Sequence, residues 1–105
     1  RSTLPNGETK NWVRLCAAID GFRQRYGHWT TTVFVDRVIY QDLKWMFSGE
    51  TFQALNDRVN LQIRRGAMIA AEDSQGHVYD YDREGFPRER PHPGANEWLG
   101  VCPDV

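Results

Sequence analysis

Three histidines, His28, His77 and His92, and two cysteines, Cys16 and Cys102, are the residues of this chain best suited to metal ligation or nucleophile–base chemistry. A structural zinc site draws four ligands, as a rule from closely spaced pairs of such residues. No two of these five lie close in sequence, so the spacing predicts no metal, and no cofactor loop accompanies them. His28 ends a helical pattern, where a cation suits the helix dipole, and His77 falls on a strand surface. The acids Glu72, Asp73, Asp80, Asp82 and Glu84 are denser. Asp80 and Asp82 on one strand face would suit a hard cation or an acid–base pair. A solvated acidic edge that discourages strand-to-strand aggregation accounts for them equally simply and is preferred.

Two further groups bear on binding. Arg64 and Arg65 sit at a strand end, Lys44 on a short helix, and Tyr79 and Tyr81 on a strand. Cations beside aromatic rings can hold a phosphate and stack a base, although an arginine pair at a turn is also an ordinary solvated turn. The chain has four tryptophans. Trp12 takes a core slot by periodicity, but Trp45 falls off the apolar stripe of its helix and Trp29 lies in a loop. Exposed tryptophans are enriched where proteins meet partners. Trp29, Tyr40 and Trp45 are therefore candidates for an interaction surface. The alternative is that they close a small core under the proline-rich tail.

The elements that must position these residues follow from periodicity. Trp12, Leu15, Cys16, Ile19, Phe22 and Tyr26 recur at steps of three and four, which predicts an amphipathic helix over residues 10–26. Gly21 inside it costs about 1 kcal/mol relative to alanine, and close packing against another element is its expected reason. Gly27 offers a left-handed cap. The β-branched run 30–35 reads as a strand. A short helix with Ile39, Leu43, Met46 and Phe47 inward follows. Ser48 then caps another helix, with Phe52 and Leu55 buried. Alternation over 59–64, an apolar run at 67–71 and a return strand over 77–82 around the turn Asp73-Ser74-Gln75-Gly76 complete the pattern.

Residues 1–8 are expected to be a loose lead-in and 9–82 one α+β domain. Residues 83–105 are expected to be an irregular tail pinned by Trp98 and Leu99. The three consecutive strands predict an antiparallel meander with helices on one face. The position of the strand near residue 33, edge or centre, is left open.

The 105 residues suit a single domain, and a net charge of -1 excludes a globally basic nucleic-acid binder. No apolar run approaches the ~20 residues of a membrane span. Two cysteines are few for a secreted domain of this size, so both are read as reduced thiols in a cytoplasmic protein.

Over residues 31–82 the order strand, helix, helix and three strands resembles the small messenger-RNA-cleaving toxins of the RelE type. The likeness is one of element order, with no motif matching residue by residue and the leading helix additional. It implies metal-independent RNA binding or cleavage through Lys, Arg and Tyr side chains. The leading expectation is different: a non-catalytic protein-interaction or regulatory module. Its partner would be another protein or a second copy of itself, through a sheet edge or the aromatic surface.

Overall fold

Leu15, Ile19 and Phe22 lie on one stripe and are fully buried, and they carry the inward face of α1 (Lys10–Tyr26). The computed structural model describes residues 10–65, 69–84 and 95–100. The expected lead-in, Cys102 and most of the tail lie outside the described residues. After α1 come β1 (Thr32–Val35), α2 (Arg37–Met46), α3 (Gly49–Arg58) and β2 (Asn60–Ile63). They are followed by β3 (Ile69–Glu72), β4 (Val78–Asp80), α4 (Tyr81–Glu84) and α5 (Ala95–Leu99). The chain is thus α+β, as its alternating periodicities predict.

Local chemistry accounts for the helix ends. Asp36 caps α2 by accepting the Val38 N–H, and Ser48 caps α3 by accepting the Thr51 N–H. Such a cap satisfies an N–H that has no partner within the helix. Gly27 ends α1 at φ +81°, with its N–H donated to the Arg23 carbonyl at 2.9 Å. That left-handed closure is one glycine adopts without penalty.

The sheet departs from the expected meander. Its order is β2-β1-β3-β4. β1 lies at its interior, parallel to β2 and antiparallel to β3, and β3 pairs antiparallel with β4. β2 and β3, adjacent in sequence, are separated by β1. Burial supplies the reason. Val33 and Val35 of β1 are fully buried, as a strand paired on both sides requires, whereas Ile63 of β2 is 49% exposed at the edge. Joining two parallel strands needs a long crossover, which α2 and α3 provide.

In the registers Val33↔Leu61, Val33↔Ala71 and Ala71↔Tyr79, the paired side chains share one sheet face. That face is covered by the helices, and one continuous core joins Leu15, Ile19 and Phe22 to Val33, Leu43, Leu55, Ile69 and Tyr79. The return strand is shorter than expected. Asp80 accepts the Asp82 N–H at 3.0 Å, which turns the chain into α4 and takes Tyr81 and Asp82 out of the strand.

Candidate functional site

Helix α2 turns Ile39, Leu43 and Met46 into the core. Its remaining positions diverge. Tyr40 leans toward α3, with its ring edge-on to Phe52 at 5.6 Å. Asp42 accepts the Asn11 side-chain N–H at 2.7 Å and so ties α2 to the start of α1. Val38, Asp42 and Trp45 follow at i, i+4 and i+7, one ridge of the helix. On that ridge Val38 is 72% exposed and Trp45 74% exposed. Arg37 and Lys44 are exposed on the same helix, and among the described residues neither has an ion-pair partner.

The three aromatics expected to share a surface occupy separate places. Trp29 stacks flat on Trp98 of α5, centroids 4.4 Å apart and planes 4° apart. Arg23 lies over Trp29 at 4.9 Å and Arg58 over Trp98 at 5.8 Å. Trp29 thus closes the body against α5, and Tyr40 lies on the α3 side of α2. Trp45 alone of the three is fully presented to solvent.

The basic and tyrosine residues also fail to converge. Tyr79 is 4% exposed, on the helix-covered face of the sheet. Arg64 lies on the opposite face, over the Phe34 ring at 4.1 Å, and pairs with Glu72 at 2.9 Å. Tyr81 is half-buried against the core, and Arg65 and Lys44 are exposed on the turn and on α2. The acids are likewise occupied. Glu72 holds Arg64, Asp80 caps α4, and Glu84 takes both Arg25 guanidinium nitrogens at 2.9 and 3.1 Å.

A cluster that spacing did not announce lies at the end of α1. The loop after α1 carries His28, and the β3–β4 turn carries Asp73 and His77. Asp73 builds that turn: its Oδ1 accepts the Gln75 and His77 backbone N–H groups, each at 3.0 Å. Its Oδ2 is left facing His28 Nε2 at 2.7 Å and His77 Nδ1 at 2.9 Å. The two imidazole centroids are 5.7 Å apart. Tyr26 packs on His77 at 4.5 Å and Phe22 meets His28 edge-on at 5.4 Å. The Asp73 side chain is 5% exposed, and those of His28 and His77 are 45% and 40% exposed. Desolvation works to raise the Asp73 carboxyl, but hydrogen bonds from both imidazoles and both backbone N–H groups hold it far below the usual carboxylate range. His77 and Asp73 are four residues apart across a tight turn, a signal present in the sequence. His28 is 45 residues from Asp73 and reaches it only through the fold.

Comparison of the chain with protein-family models, with curated proteins and with solved structures finds no match. Among the described residues no helix is long and apolar enough to cross a membrane.

Proposed function

We propose that this chain is a protein-docking module whose α2 ridge seats an apolar segment of a partner protein bearing acidic residues. The observation that carries the reading is the exposure of Trp45 and Val38 on one ridge of a helix whose other apolar residues are buried. A large aromatic left in water beside a second exposed apolar residue is the arrangement that anchors interfaces. The exposed cations beside the ridge offer ion pairs to acids on a partner. The α2 carboxylates of Asp42 and its cap Asp36 are engaged by Asn11 and the Val38 N–H, while Arg37 and Lys44 stand exposed around the ridge.

RNA binding in the manner of the RelE-type toxins is the second reading. It draws on the chain order β1-α2-α3-β2-β3-β4. The burial of Tyr79 and the placement of Arg64 on the other sheet face weigh against the residue set it would use.

The test is a photo-crosslinking amino acid at position 41, exposed on α2 beside the ridge, irradiated in lysate with and without nuclease, with crosslinked peptides identified by mass spectrometry. Docking predicts crosslinks to an apolar, acid-bearing peptide, unaffected by nuclease and lost with Val38→Asp. Both changes sit at exposed positions and should alter stability by less than about 0.5 kcal/mol. Crosslinks to RNA, or none above a Gln24 control position, would sink the docking reading.

A further inference from the structure

The His28–Asp73–His77 cluster brings two imidazole nitrogens and one carboxylate oxygen within 4.8 Å of one another. The Tyr26 carbonyl can only accept, so His28 Nδ1 is its donor at 3.1 Å. The ring is thereby oriented with Nε2 toward Asp73. An imidazole held through its far nitrogen by a backbone carbonyl is how proteins orient a metal ligand. The carboxylate is oriented in the same way. Its Oδ1 is engaged by two backbone N–H groups of the turn, and Oδ2 is left between the rings.

We propose that His28 Nε2, His77 Nδ1 and Asp73 Oδ2 form a binding site for one divalent first-row cation of the zinc type. Nitrogen–oxygen sets of two histidines and a carboxylate suit Zn2+ and its first-row neighbours rather than Mg2+ or Ca2+, which select all-oxygen cages. Ligation takes the ring nitrogens and Oδ2 in their unprotonated forms, so any proton they carry is released on binding. The exposed outer edges of both rings leave room for water to complete the shell. The bound ion would staple the loop after α1 to the β3–β4 turn, and a ligand that binds only the folded chain stabilises it.

The experiment is competition for Zn2+ between the full chain and a chromophoric chelator, alongside histidine ring-nitrogen NMR. Expected are one Zn2+ per chain and shifts centred on His28 Nε2 and His77 Nδ1. His28→Gln and His77→Gln should each weaken binding roughly tenfold or more, with circular dichroism unchanged. No competition at about 100 µM Zn2+, undiminished wild-type affinity in either glutamine variant, or a shift at His28 Nδ1 instead of Nε2 would each overturn the proposal. The NMR measurement needs only the unmodified chain, so the proposal stays testable if a variant fails to fold.

Discussion

Asp20 sits one helical turn after Cys16 on α1, half-buried, and accepts a hydrogen bond from the Ala95 backbone N–H. Among the described residues no donor meets its Oδ1. Burial pushes its carboxyl up to about 6, with the Ala95 hydrogen bond opposing. A raised folded-state value means that the protonated form is favoured by folding. The associated stability is present in full below the unfolded value of 3.8 and is lost as pH rises through about 6. From pH 7 down to pH 5, the wild-type chain should therefore gain stability relative to Asp20→Asn. Discounted for partial exposure, the gain is about 0.5–1 kcal/mol. Parallel urea titrations at the two pH values check it, and because the histidines are common to both proteins the difference isolates Asp20. A constant gap would refute the assignment. Cys16 is affected by the same neighbourhood: burial and then the Asp20 charge push its thiol up, so it stays protonated and unreactive. Asp73 is the opposite case, because a carboxylate surrounded by donors is held ionised even where little water reaches it.

Gly21 and Tyr79 show how two elements constrain each other. A methyl group at position 21 would overlap the Tyr79 phenol ring, so α1 and β4 approach closely only because α1 has no side chain there. Arg25 reinforces the contact, lying over the same ring at 5.1 Å while its guanidinium holds Glu84 of α4. Alanine at position 21 would improve helix propensity by about 1 kcal/mol, but overpacking a core costs about 1–3 kcal/mol. Gly21→Ala should thus destabilise the fold by up to about 2 kcal/mol in chemical denaturation. In a Tyr79→Ala background the same change should turn neutral or favourable, a coupling that a double-mutant cycle reads directly. A stabilising Gly21→Ala in the wild-type chain would show that the contact is loose. The sequence displayed the anomaly of a glycine inside a strong helix; it could not name Tyr79, because the partner lies 58 residues on.

At the scale of the whole molecule, α5 is held by two kinds of contact. Leu99 is 3% exposed in the common core, and Trp98 stacks on Trp29. An aromatic pair contributes about 0.5–1.5 kcal/mol beyond the area it buries. Trp98→Ala should therefore expose the loop around Trp29 and raise amide exchange in residues 95–100 at least several-fold, while β1 and β3 remain protected. Uniform loss of protection across the sheet would instead mean that α5 and the core unfold as one unit. The same stack sets Trp29 against the tail, the alternative to an interaction surface that the sequence had left open; the pairing with Trp98 itself is a tertiary contact that no periodicity marks.

Periodicity and capping chemistry are local, and they were sufficient for the bounds of α1, the caps at Ser48 and Gly27, and the α+β class. The outward position of Trp45 followed from the same logic, because a residue off a helix's apolar stripe must face away from the core. Strand pairing is not local. Alternation in β2 states which residues face inward but not which strand lies beside it, so a neighbour in sequence was taken as a neighbour in space. Only the packed sheet, with Val33 and Val35 requiring cover from both sides, inserted β1 between β2 and β3. The His28–Asp73–His77 cluster arose in the same way. Its turn half was visible in five consecutive residues, and its third member was brought in when α1 packed across β3 and β4, since hydrophobic burial, not sequence proximity, decides which loops meet.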